Sequence, residues 1–370
     1  MTRAAILNAF NPEVYKGGIE TFILNLKALL EEHNISVDIR FISPEPSLPV
    51  KPFPIKSLNK IVPEFLLSCF MMGRAFSKIE KNYELVFSNN FYGLGYFSNK
   101  ITGFNIYHST HAGYADALKD KVSKKIYKDL KYLYGHLGDR LSGRCKTKIA
   151  VSHGVKDELE KYYKFNDITV INHGVDTNFY KKLNEPITLR KKWDVPIDAF
   201  VGIFVGRWEI GKGTDIMEEV IKANQDITWT LAIGTSDCPL TAYHNARIVK
   251  DADRQTLKVL YSLSDFMLFP SYYEGFGIVI IEAMACGLPV ICSSIGVAKD
   301  LSQFKALKKL ILPKYAKIEL IREINDRILF LKKASSEKNE IATIGRSIIE
   351  RDYSIDVWKN KMAAALGLFL

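Results

Sequence analysis

Two glutamates, Glu274 and Glu282, stand eight residues apart in the almost wholly apolar stretch EGFGIVIIEAMACGLPV. Because the run IVII has no polar face and Gly and Pro follow, the stretch predicts a short buried helix over about residues 278–286. An ionised carboxylate in such surroundings costs several kcal/mol unless it is paired or hydrogen-bonded. Glu282 is therefore either a core residue with a structural partner or an acceptor of hydrogen bonds from a ligand.

Two cations follow another apolar segment. Gly206 and Arg207 end the strand-like run at 199–205, and Lys212 comes shortly before a predicted helix. Open α/β sheets bind their ligands at the carboxyl ends of the strands, where Arg207 and Lys212 can both reach an anion. Glu274 follows a second such strand and should reach the same edge. The alternative is that both cations are solvated loop residues.

A further glycine pair, Gly17 and Gly18, lies between the first strand-like segment and its helix. Backbone amides at a helix start can hold a phosphate. The pair lacks the G-x-G-x-x-G spacing of dinucleotide-binding folds, so it is also consistent with an ordinary turn.

Strand-like and helix-like segments alternate along all 370 residues, which predicts parallel sheets covered by helices in two units, divided near residue 175. No apolar run reaches the roughly 20 residues that span a bilayer, and we see no signal peptide. The five cysteines show no C-x-x-C spacing, so we expect neither a disulfide framework nor a zinc site, and a reducing cytoplasm as the location.

The net charge of +10 is concentrated in one stretch, Lys119 to Lys148, which holds ten basic and three acidic residues. Its apolar residues recur at helical spacing, and the pattern predicts an amphipathic basic helix. Such a helix is a solvated outer face or a surface for anionic lipid headgroups. Nucleic acid is a third reading, which we do not adopt because no recognition motif accompanies the charge.

The chain resembles the retaining glycosyltransferases of the GT-B fold, in the large family-4 type (glycosyl transferases group 1). The segments that carry the resemblance are KGGIE, VSHGVKDEL, INHGVDTNFY, FVGRWEIGKGTD, LYSLSDFMLFPSYYEGFGIVIIEAMACGLPVI and RDYSIDVW. Their order and spacing match over nearly the whole chain, and the block with two glutamates is the most specific of them.

The resemblance implies an α/β fold of two Rossmann-like, doubly wound parallel-sheet domains that face each other across a cleft. Residues 1–175 would form the acceptor-binding domain, joined by a crossover helix at about 355–370. Residues 176–354 would form the domain that binds a nucleotide sugar.

The resemblance also assigns roles. Arg207 and Lys212 would neutralise the diphosphate, Glu274 would lie beside the donor sugar, and Glu282 would hold the ribose hydroxyls. The other donor-binding residues would contribute backbone groups or allow the donor to approach the backbone closely. They are Gly17, Gly18, Gly206, Phe276, Gly277 and Ile278. His108 matches the family's histidine near the donor sugar, and His111 is an alternative.

By the same resemblance, the chain would move a hexose-type sugar from a nucleoside-diphosphate sugar to a glycan or lipid-linked acceptor. The setting would be cell-surface polysaccharide biosynthesis, such as lipopolysaccharide or capsule. The reaction would retain the anomeric configuration without a metal or other cofactor. We expect a cytoplasmic enzyme, with possible peripheral association at the inner face of the plasma membrane through the basic segment.

The sequence departs from the family pattern in two places. Two glycines and a glutamate usually follow the strand at 290–292, where this chain reads SSIGVAKDLSQF. The usual Asp-Gly-x-x-Gly segment is also missing before KLILP. These departures put the contacts of the donor loop in doubt.

Three rival readings stay open. Asp251-Ala252-Asp253 has the Asp-x-Asp form of a metal–diphosphate site, although an N-cap with first-turn charge explains it more simply. A nucleotide-sugar epimerase on the same fold would turn over the donor alone. A basic membrane-associated protein with a degenerate site would show no effect of nucleotide.

Overall fold

A computed structural model describes residues 2–15, 17–43, 62–184, 186–234, 243–313 and 316–368. Lys16 of the KGGIE segment and Cys238 lie outside the described residues. The chain divides into two units, Met1–His173 with Lys359–Leu370, and Gly174–Trp358. The sequence had placed these divisions near residues 175 and 355.

The first unit is built on a parallel sheet of six strands in the order β2-β1-β3-β4-β5-β6. The strands are β1 (Arg3–Leu7), β2 (Ser36–Arg40), β3 (Leu85–Asn89), β4 (Thr102–Tyr107), β5 (Thr147–Ala150) and β6 (Ile168–Val170). The inner strands are buried almost throughout, as expected for a parallel sheet with helices on its faces.

Helices connect these strands. They are α1 (Gly18–Glu32), α2 (Glu64–Phe76), α3 (His111–Ala117), α4 (Lys124–Lys128), a π-helix (Asp129–Asp139), α5 (Arg140–Ser142), α6 (His153–Glu158) and a second π-helix (Leu159–Tyr163). A 3₁₀ turn lies at Glu80–Asn82. Helix α1 buries one apolar face, as its sequence spacing predicts.

The second unit contains another six-stranded parallel sheet, in the order β12-β11-β10-β7-β8-β9. Its strands are β7 (Phe200–Gly206), β8 (Ile227–Ile233), β9 (Ala246–Lys250), β10 (Phe266–Phe269), β11 (Val290–Ser293) and β12 (Ile311–Leu312). Its helices are α7 (Pro186–Lys192), α8 (Thr214–Ala223), α9 (Arg254–Leu263), α10 (Ile278–Ala285), α11 (Val297–Leu301), α12 (Lys305–Lys308), α13 (Lys317–Lys333) and α14 (Ser335–Asp352), with a 3₁₀ turn at Ile210–Lys212.

The last helix, α15 (Ile355–Leu366), begins in the second unit and ends in the first. Lys359 Nζ lies 2.6 Å from Glu32 Oε1 at the end of α1, so the final residues are joined to the first unit by an ion pair.

The prediction of two α/β units with parallel sheets is confirmed. Sequence reasoning did not predict α3, α7 and β9, nor the elements between β11 and α15, namely α11, α12, β12, α13 and α14. Strand β9 (ARIVK) mixes polar and apolar residues at the edge of its sheet, and none of its residues is fully buried. Its pattern is therefore weaker than that of an inner strand.

The predicted helix over the basic segment is confirmed in part, because α4, the π-helix and α5 form one uninterrupted helical run from Lys124 to Ser142. Helix α3 ends at Ala117, and α4 runs directly into a π-helix. In a π-helix each amide bonds five residues back, so side chains drift from the faces of a 3.6-residue repeat. Leu137 in the π-helix is 39% exposed, and Ile126 in α4 is 49% exposed, so the apolar residues of the segment do not all lie on one buried face.

Glycines take the inward positions instead. A Cβ on Gly135 would lie 3.1 Å from the amide nitrogen of Ala112, and one on Gly138 would lie 3.1 Å from Cβ of Phe91. The π-helix can therefore approach α3 and the loop after β3 closely. None of the helices in the described part of the chain is long and apolar enough to cross a bilayer.

The core of the second sheet depends on one small residue. Gly202 in β7 faces the rings of Trp229 and Phe266, which are fully buried. A Cβ at Gly202 would lie 2.7 Å from the Trp229 ring and 2.8 Å from the Phe266 ring. Neither ring has free space into which to move.

We expect Gly202→Ala to lower the free energy of unfolding by about 1–3 kcal/mol, because it overpacks this core. Gly154→Ala is the matched control, since the added methyl would meet only Ser152 Oγ at 3.7 Å and the site is helical. Urea titration of both variants tests the prediction. Equal midpoints for the two would contradict it.

Candidate functional site

Two of the predicted residues meet at the carboxyl edge of the second sheet. Lys212 Nζ lies 2.5 Å from Glu274 Oε1, and the two side chains are 21% and 11% exposed. Arg207, which directly follows β7, is 67% exposed and lies 3.0 Å from Glu209 Oε1. The structure therefore brings Lys212 and Glu274 into direct contact and leaves the Arg207 guanidinium accessible to an anion.

The loops that carry this pair are fastened to each other. The amide of Tyr272 donates to the carbonyl of Gly211 at 2.9 Å. The hydroxyl of Tyr272 donates to Asp215 Oδ2 at 2.9 Å, and the same carboxylate oxygen lies 3.5 Å from Lys317 Nζ. Gly213 adopts a φ of +71°, and a Cβ there would lie 2.2 Å from the carbonyl oxygen of Pro270. Backbone approach and side-chain bonds together fix the spacing of the two loops.

Glu282 lies inside the short helix α10, which begins where the sequence predicted. Tyr261 donates its hydroxyl to Glu282 Oε2 at 3.3 Å. The Arg254 guanidinium, which opens α9, lies 5.5 Å from the ring centroid of Tyr180. Burial raises the pKa of Glu282 from 4.5 to about 7, and the hydroxyls of Tyr180 and Tyr261 and the charge of Arg254 oppose the rise. The structure therefore gives Glu282 structural partners, and its contact with a ligand stays a prediction.

The loop after β10 ends at Gly277, whose φ of +88° places it in the left-handed region before α10. The carbonyl of Phe276 accepts a hydrogen bond from the amide of Val297 at 2.8 Å. Gly296 packs against the same carbonyl, at 2.3 Å for a Cβ built on it. The segment SSIGVAKDL, which departs from the family pattern, thus still supports the loop by contacts with the carbonyl of Phe276.

In the first unit, His108 is 7% exposed at the end of β4. Its Nε2 lies 2.9 Å from Asn89 Oδ1, and its Nδ1 lies 3.4 Å from Nε2 of His173. Phe22 of α1 packs edge-on against both imidazole rings. Burial holds the pKa of His108 well below its usual range and lowers that of His173 to about 4. His108 is therefore a neutral residue with both ring nitrogens already engaged.

His111, the sequence alternative, begins α3 and has a different setting. Its backbone amide donates to Asp139 Oδ2 at 2.9 Å, and its Nδ1 lies 3.1 Å from the same oxygen. Asp139 is fully buried and also accepts the hydroxyl of Tyr163 at 2.8 Å. Because an ionised carboxylate only accepts, Nδ1 carries the proton and Nε2 is directed away from Asp139. With its side chain 21% exposed, His111 offers a ring nitrogen that His108 does not.

The predicted phosphate-binding glycines begin α1. Gly17 is its N-cap, with an extended backbone and no side-chain cap, and Gly18 is its first residue. Gly17 itself therefore supplies no side-chain cap, and Glu20 Oε2 lies 2.6 Å from the position of a Cβ built on Gly17.

The structure favours the N-cap explanation of the Asp-x-Asp sequence. Asp253 is the N-cap of α9 and accepts the amide of Thr256 at 2.8 Å. Within the described ranges, no three His, Cys, Asp or Glu side chains gather closely enough to hold a metal ion.

Sequence reasoning missed several residues of the site. Asp139 lies in a basic segment and was counted only as a charge, although a lone acid among apolar and glycine residues was a signal for a buried partner. Tyr272 and Asp215 gave no signal, because their contact joins two loops distant in sequence. The contact of the Tyr180 and Tyr261 hydroxyls with Glu282 was not predicted either.

Each unit matches a known family profile. Residues 16–179 match Glycosyltransferase Family 4, and residues 187–342 match Glycosyl transferases group 1. The chain belongs to the group 1/family 4 glycosyltransferases. The predicted resemblance is confirmed, and the matched ranges contain Glu274, Glu282, Arg207 and Lys212.

Three similar proteins illustrate the relationship. TuaC of Bacillus subtilis, a glycosyltransferase ascribed to teichuronic acid biosynthesis, is 29% identical over 159 residues, which cover 42% of this chain and 41% of the relative. Sucrose-phosphate synthase from Thermosynechococcus elongatus matches with a TM-score of 0.76 at 18% identity, over 99% of this chain and 98% of that one. HepE of Anabaena in complex with UDP-glucose matches with a TM-score of 0.69 at 18% identity, over the whole of both chains. The predicted GT-B fold is therefore confirmed, and the alignment with TuaC spans less than half of that relative.

The raised pKa of Glu282 predicts a pH dependence of stability. Its folded-state pKa of about 7 exceeds the ordinary value of 4.5, so the folded protein binds the proton more tightly than the unfolded chain. Below pH 4.5 the carboxyl group is protonated in both states and does not lower the free energy of unfolding. The free energy of unfolding falls as pH rises from 4.5 to 7, by an amount on the order of 3 kcal/mol, and is constant above.

Urea unfolding of the wild type and Glu282→Gln between pH 4.5 and 8 measures this effect. We expect the variant, which cannot ionise there, to gain stability relative to the wild type across that window. A difference that is independent of pH would contradict the assignment.

Proposed function

We propose that this chain is a retaining glycosyltransferase that moves a hexose-type sugar from a nucleoside-diphosphate sugar to a glycan or lipid-linked acceptor. The observation that carries the proposal is the Lys212–Glu274 pair at the carboxyl edge of a Rossmann-like sheet, beside the exposed Arg207. A diphosphate needs two cations and helix-start amides, and a sugar needs carboxylate acceptors. The second unit supplies both kinds of group.

The cations act on the leaving group. As the glycosyl bond breaks, negative charge grows on the diphosphate, and groups already aimed at that charge lower the barrier most. Arg207 is accessible for this role. Lys212 reaches the diphosphate by exchanging its contact with Glu274 for a phosphate oxygen, which leaves Glu274 to accept hydroxyls of the donor sugar. The loop amides of Phe276, Gly277 and Ile278 complete the donor contacts.

Glu282 accepts the ribose hydroxyls, which supply the donors that its buried position lacks. Glu274 is not assigned as a covalent nucleophile, because in this proposal its carboxylate accepts hydroxyls of the donor sugar. Retention then follows from attack on the same face as the departing diphosphate, whose oxygen takes the proton of the acceptor. No metal is needed, since Arg207 and Lys212 provide the positive charge.

In the first unit, Gly17 and Gly18 admit the diphosphate, and a histidine contacts the donor sugar. Between the two candidates we assign this contact to His111. Its Nδ1 is held by Asp139, whereas both nitrogens of His108 are engaged inside the unit. His108 then serves to position α1 through Phe22.

The names of similar proteins support a particular donor and setting. HepE was solved with UDP-glucose, and TuaC is ascribed to the synthesis of a cell-wall polysaccharide. The donor is accordingly a UDP-hexose, and the product a cell-surface polysaccharide of the lipopolysaccharide or capsule kind. The enzyme works in the cytoplasm, where nucleotide sugars are made.

Peripheral membrane association is part of the same proposal. Lys124, Lys125 and Lys128 are exposed on α4, and Ile126 and Tyr132 beside them are 49% and 52% exposed. Cations next to exposed apolar side chains suit an anionic bilayer surface, where each Lys contributes about 1 kcal/mol. This face would bring the enzyme to a lipid-linked acceptor.

Nucleotide binding is the first test. Thermal unfolding is measured with UDP, GDP, ADP, CMP, dTDP and NAD, each with and without EDTA. We expect one nucleoside diphosphate, UDP, to stabilise the wild type by roughly 2.7 kcal/mol at 100 times its dissociation constant, independently of EDTA. Glu282→Ala should lose this stabilisation.

The matched control is Glu319→Ala, a half-exposed acid in the first turn of α13. It should keep the full response to UDP. If none of the nucleotides stabilised the wild type, the site would be degenerate and the proposed function wrong.

Vesicle sedimentation tests the membrane face. Lys124→Glu/Lys125→Glu/Lys128→Glu should bind phosphatidylglycerol vesicles at least tenfold more weakly than the wild type. The three substitutions reverse three charges beside exposed apolar groups and so lower the net charge by about six units. Lys191→Glu/Lys192→Glu/Lys305→Glu makes the same change in charge on exposed residues of the second unit and should bind as the wild type does. Equal losses in both triple variants would mean that net charge alone governs binding.

A further inference from the structure

The guanidinium of Arg346 in α14 binds three backbone carbonyls from two separate segments of the second unit. Its Nη1 donates to the carbonyl of Tyr180 at 3.1 Å and to the carbonyl of Ala285, and its Nη2 donates to the carbonyl of Thr177 at 3.3 Å. Nη2 also lies 2.6 Å from Glu350 Oε1, one turn further along the helix. Because the donors of arginine form a fixed planar fork, these bonds define where the two segments lie relative to α14.

One of the two segments is the end of α10. A Cβ on Gly345 would lie 3.0 Å from Cε of Met284, so glycine at this position lets α14 pack closely against the last turn of α10. Ala285 is the last residue of α10. Carbonyls of a last turn have no partner inside the helix, and a cation beside them is favoured by the helix dipole. Arg346 therefore caps the helix that carries Glu282.

The other segment is the turn at residues 176–180, whose amides are already engaged. The side chain of Asp176 accepts two amides of the turn, and its carbonyl accepts the amide of Tyr180 at 2.8 Å. The carbonyls of Thr177 and Tyr180 are the groups that Arg346 binds. The turn is thus bonded internally through its amides and to α14 through its carbonyls, which fixes the direction in which the Tyr180 side chain leaves it.

Tyr180 connects this turn to the carboxyl group of Glu282. Burial raises the pKa of Glu282 to about 7, and the Tyr180 hydroxyl is among the groups that oppose the rise. Tyr180 is 1% exposed, and its hydroxyl forms no hydrogen bond of ordinary geometry with the described residues. The strength of its effect on the carboxyl group therefore depends on where the turn places the ring.

The other titratable and charged groups around this carboxyl group are held by different segments. The Tyr261 hydroxyl donates from α9 at 3.3 Å, and the Arg254 guanidinium at the start of the same helix favours the ionised carboxylate. Cys286, which follows α10, stays a neutral thiol because burial raises its pKa to about 12. Among these groups, Tyr180 is the one whose backbone Arg346 binds.

On the basis of the proposed function, in which Glu282 accepts the ribose hydroxyls, we infer that Arg346 is a positioning residue for the nucleotide site. It caps α10 and holds the turn at 176–180, so that the Tyr180 hydroxyl stays beside the carboxyl group. Arg346 acts through these two segments and does not touch the nucleotide. A residue of α14 thereby sets the pH range in which the carboxyl group is ionised and the nucleotide binds well.

The affinity for UDP, measured by calorimetry on the full chain between pH 6 and pH 9, tests this inference. The variants are Arg346→Gln, Tyr180→Phe and the two combined, and each dissociation constant is divided by that of the wild type. The ionisation of UDP itself is common to all proteins and cancels in this ratio.

We expect the ratios for Arg346→Gln and Tyr180→Phe to be at least threefold larger at pH 6 than at pH 9. The hydroxyl favours the ionised carboxylate, so its displacement or removal raises the pKa of Glu282 further. The variants then hold a neutral carboxyl group, a weaker acceptor of ribose hydroxyls, at pH values where the wild type is partly ionised. At pH 9 the group is ionised in every protein, and this difference disappears.

The combined variant shows whether Arg346 acts through Tyr180. Once the hydroxyl is absent, Arg346→Gln should add no further pH dependence. Arg346→Lys keeps the charge without the planar fork, and its ratio should lie between those of the wild type and Arg346→Gln. Should Arg346→Gln not fold, Arg346→Lys alone and combined with Tyr180→Phe gives the same comparison.

Lys338→Gln is the matched control on the same helix. The Lys338 side chain is 20% exposed, against 28% for Arg346, and it binds Asp265 Oδ1 at 2.9 Å, before the start of β10. This variant loses a comparable contact of α14 without loosening the turn at 176–180. Its ratio should not change with pH.

The outcomes separate the inference from the function on which it rests. A pH-independent ratio for Arg346→Gln would overturn the inference, because the residue would then contribute to stability alone, and would leave the proposed function intact. Simple addition of the pH-dependent effects of Arg346→Gln and Tyr180→Phe would also overturn it, as would an equal pH dependence in Lys338→Gln. If the wild type bound no UDP at any pH, the proposed function and the inference would fail together.

Discussion

The contact between Lys212 and Glu274 is the interaction on which the arrangement of the second unit's site depends. Both side chains are largely withdrawn from water, and neither charge would be stable there alone, because the desolvation of a single ion costs several kcal/mol. The pair is therefore made only if the loop after β7 and the loop after β10 are held at one spacing. Tyr272 sets that spacing through its bonds to both the backbone of Gly211 and the side chain of Asp215. The two loops, and with them Lys212 and Glu274, are therefore held at this edge of the sheet by contacts that folding has already made.

The first unit shows how environment separates two histidines only three residues apart. His108 is enclosed by Phe22, Asn89 and His173, so burial keeps it neutral and leaves it no free nitrogen. His111 begins a helix and is oriented by a carboxylate below it. The same side chain is thus a packing element in one position and a candidate for ligand contact in the other. The difference lies in partners contributed by distant segments, which explains why the sequence left both histidines open.

Local patterns predicted the fold well and the site in part. The apolar run before Glu282 predicted the start of α10, and the glycine and proline after it predicted its end. The alternation of strand-like and helix-like segments predicted the parallel sheets. Both signals are carried by neighbouring residues. In the basic segment the helix was predicted but its buried face was not, because a π-helix breaks the 3.6-residue repeat and buries Gly135 and Gly138 rather than the apolar side chains. The bond from Tyr272 to Asp215 and the burial of Asp139 could not be predicted either, since each depends on how separate loops meet.

The segment SSIGVAKDL explains how a departure in sequence can be consistent with an intact site. The role of that position in the structure is to support the carbonyl of Phe276, and two backbone features do so. The amide of Val297 donates to that carbonyl, and any residue except proline at 297 provides such an amide. The close approach, however, requires a residue without Cβ and with a positive φ, and Gly296 meets both conditions. The geometry therefore requires glycine at 296 and a backbone amide at 297, while the side chains of Val297, Ala298 and Leu301 are constrained separately by their burial in the core.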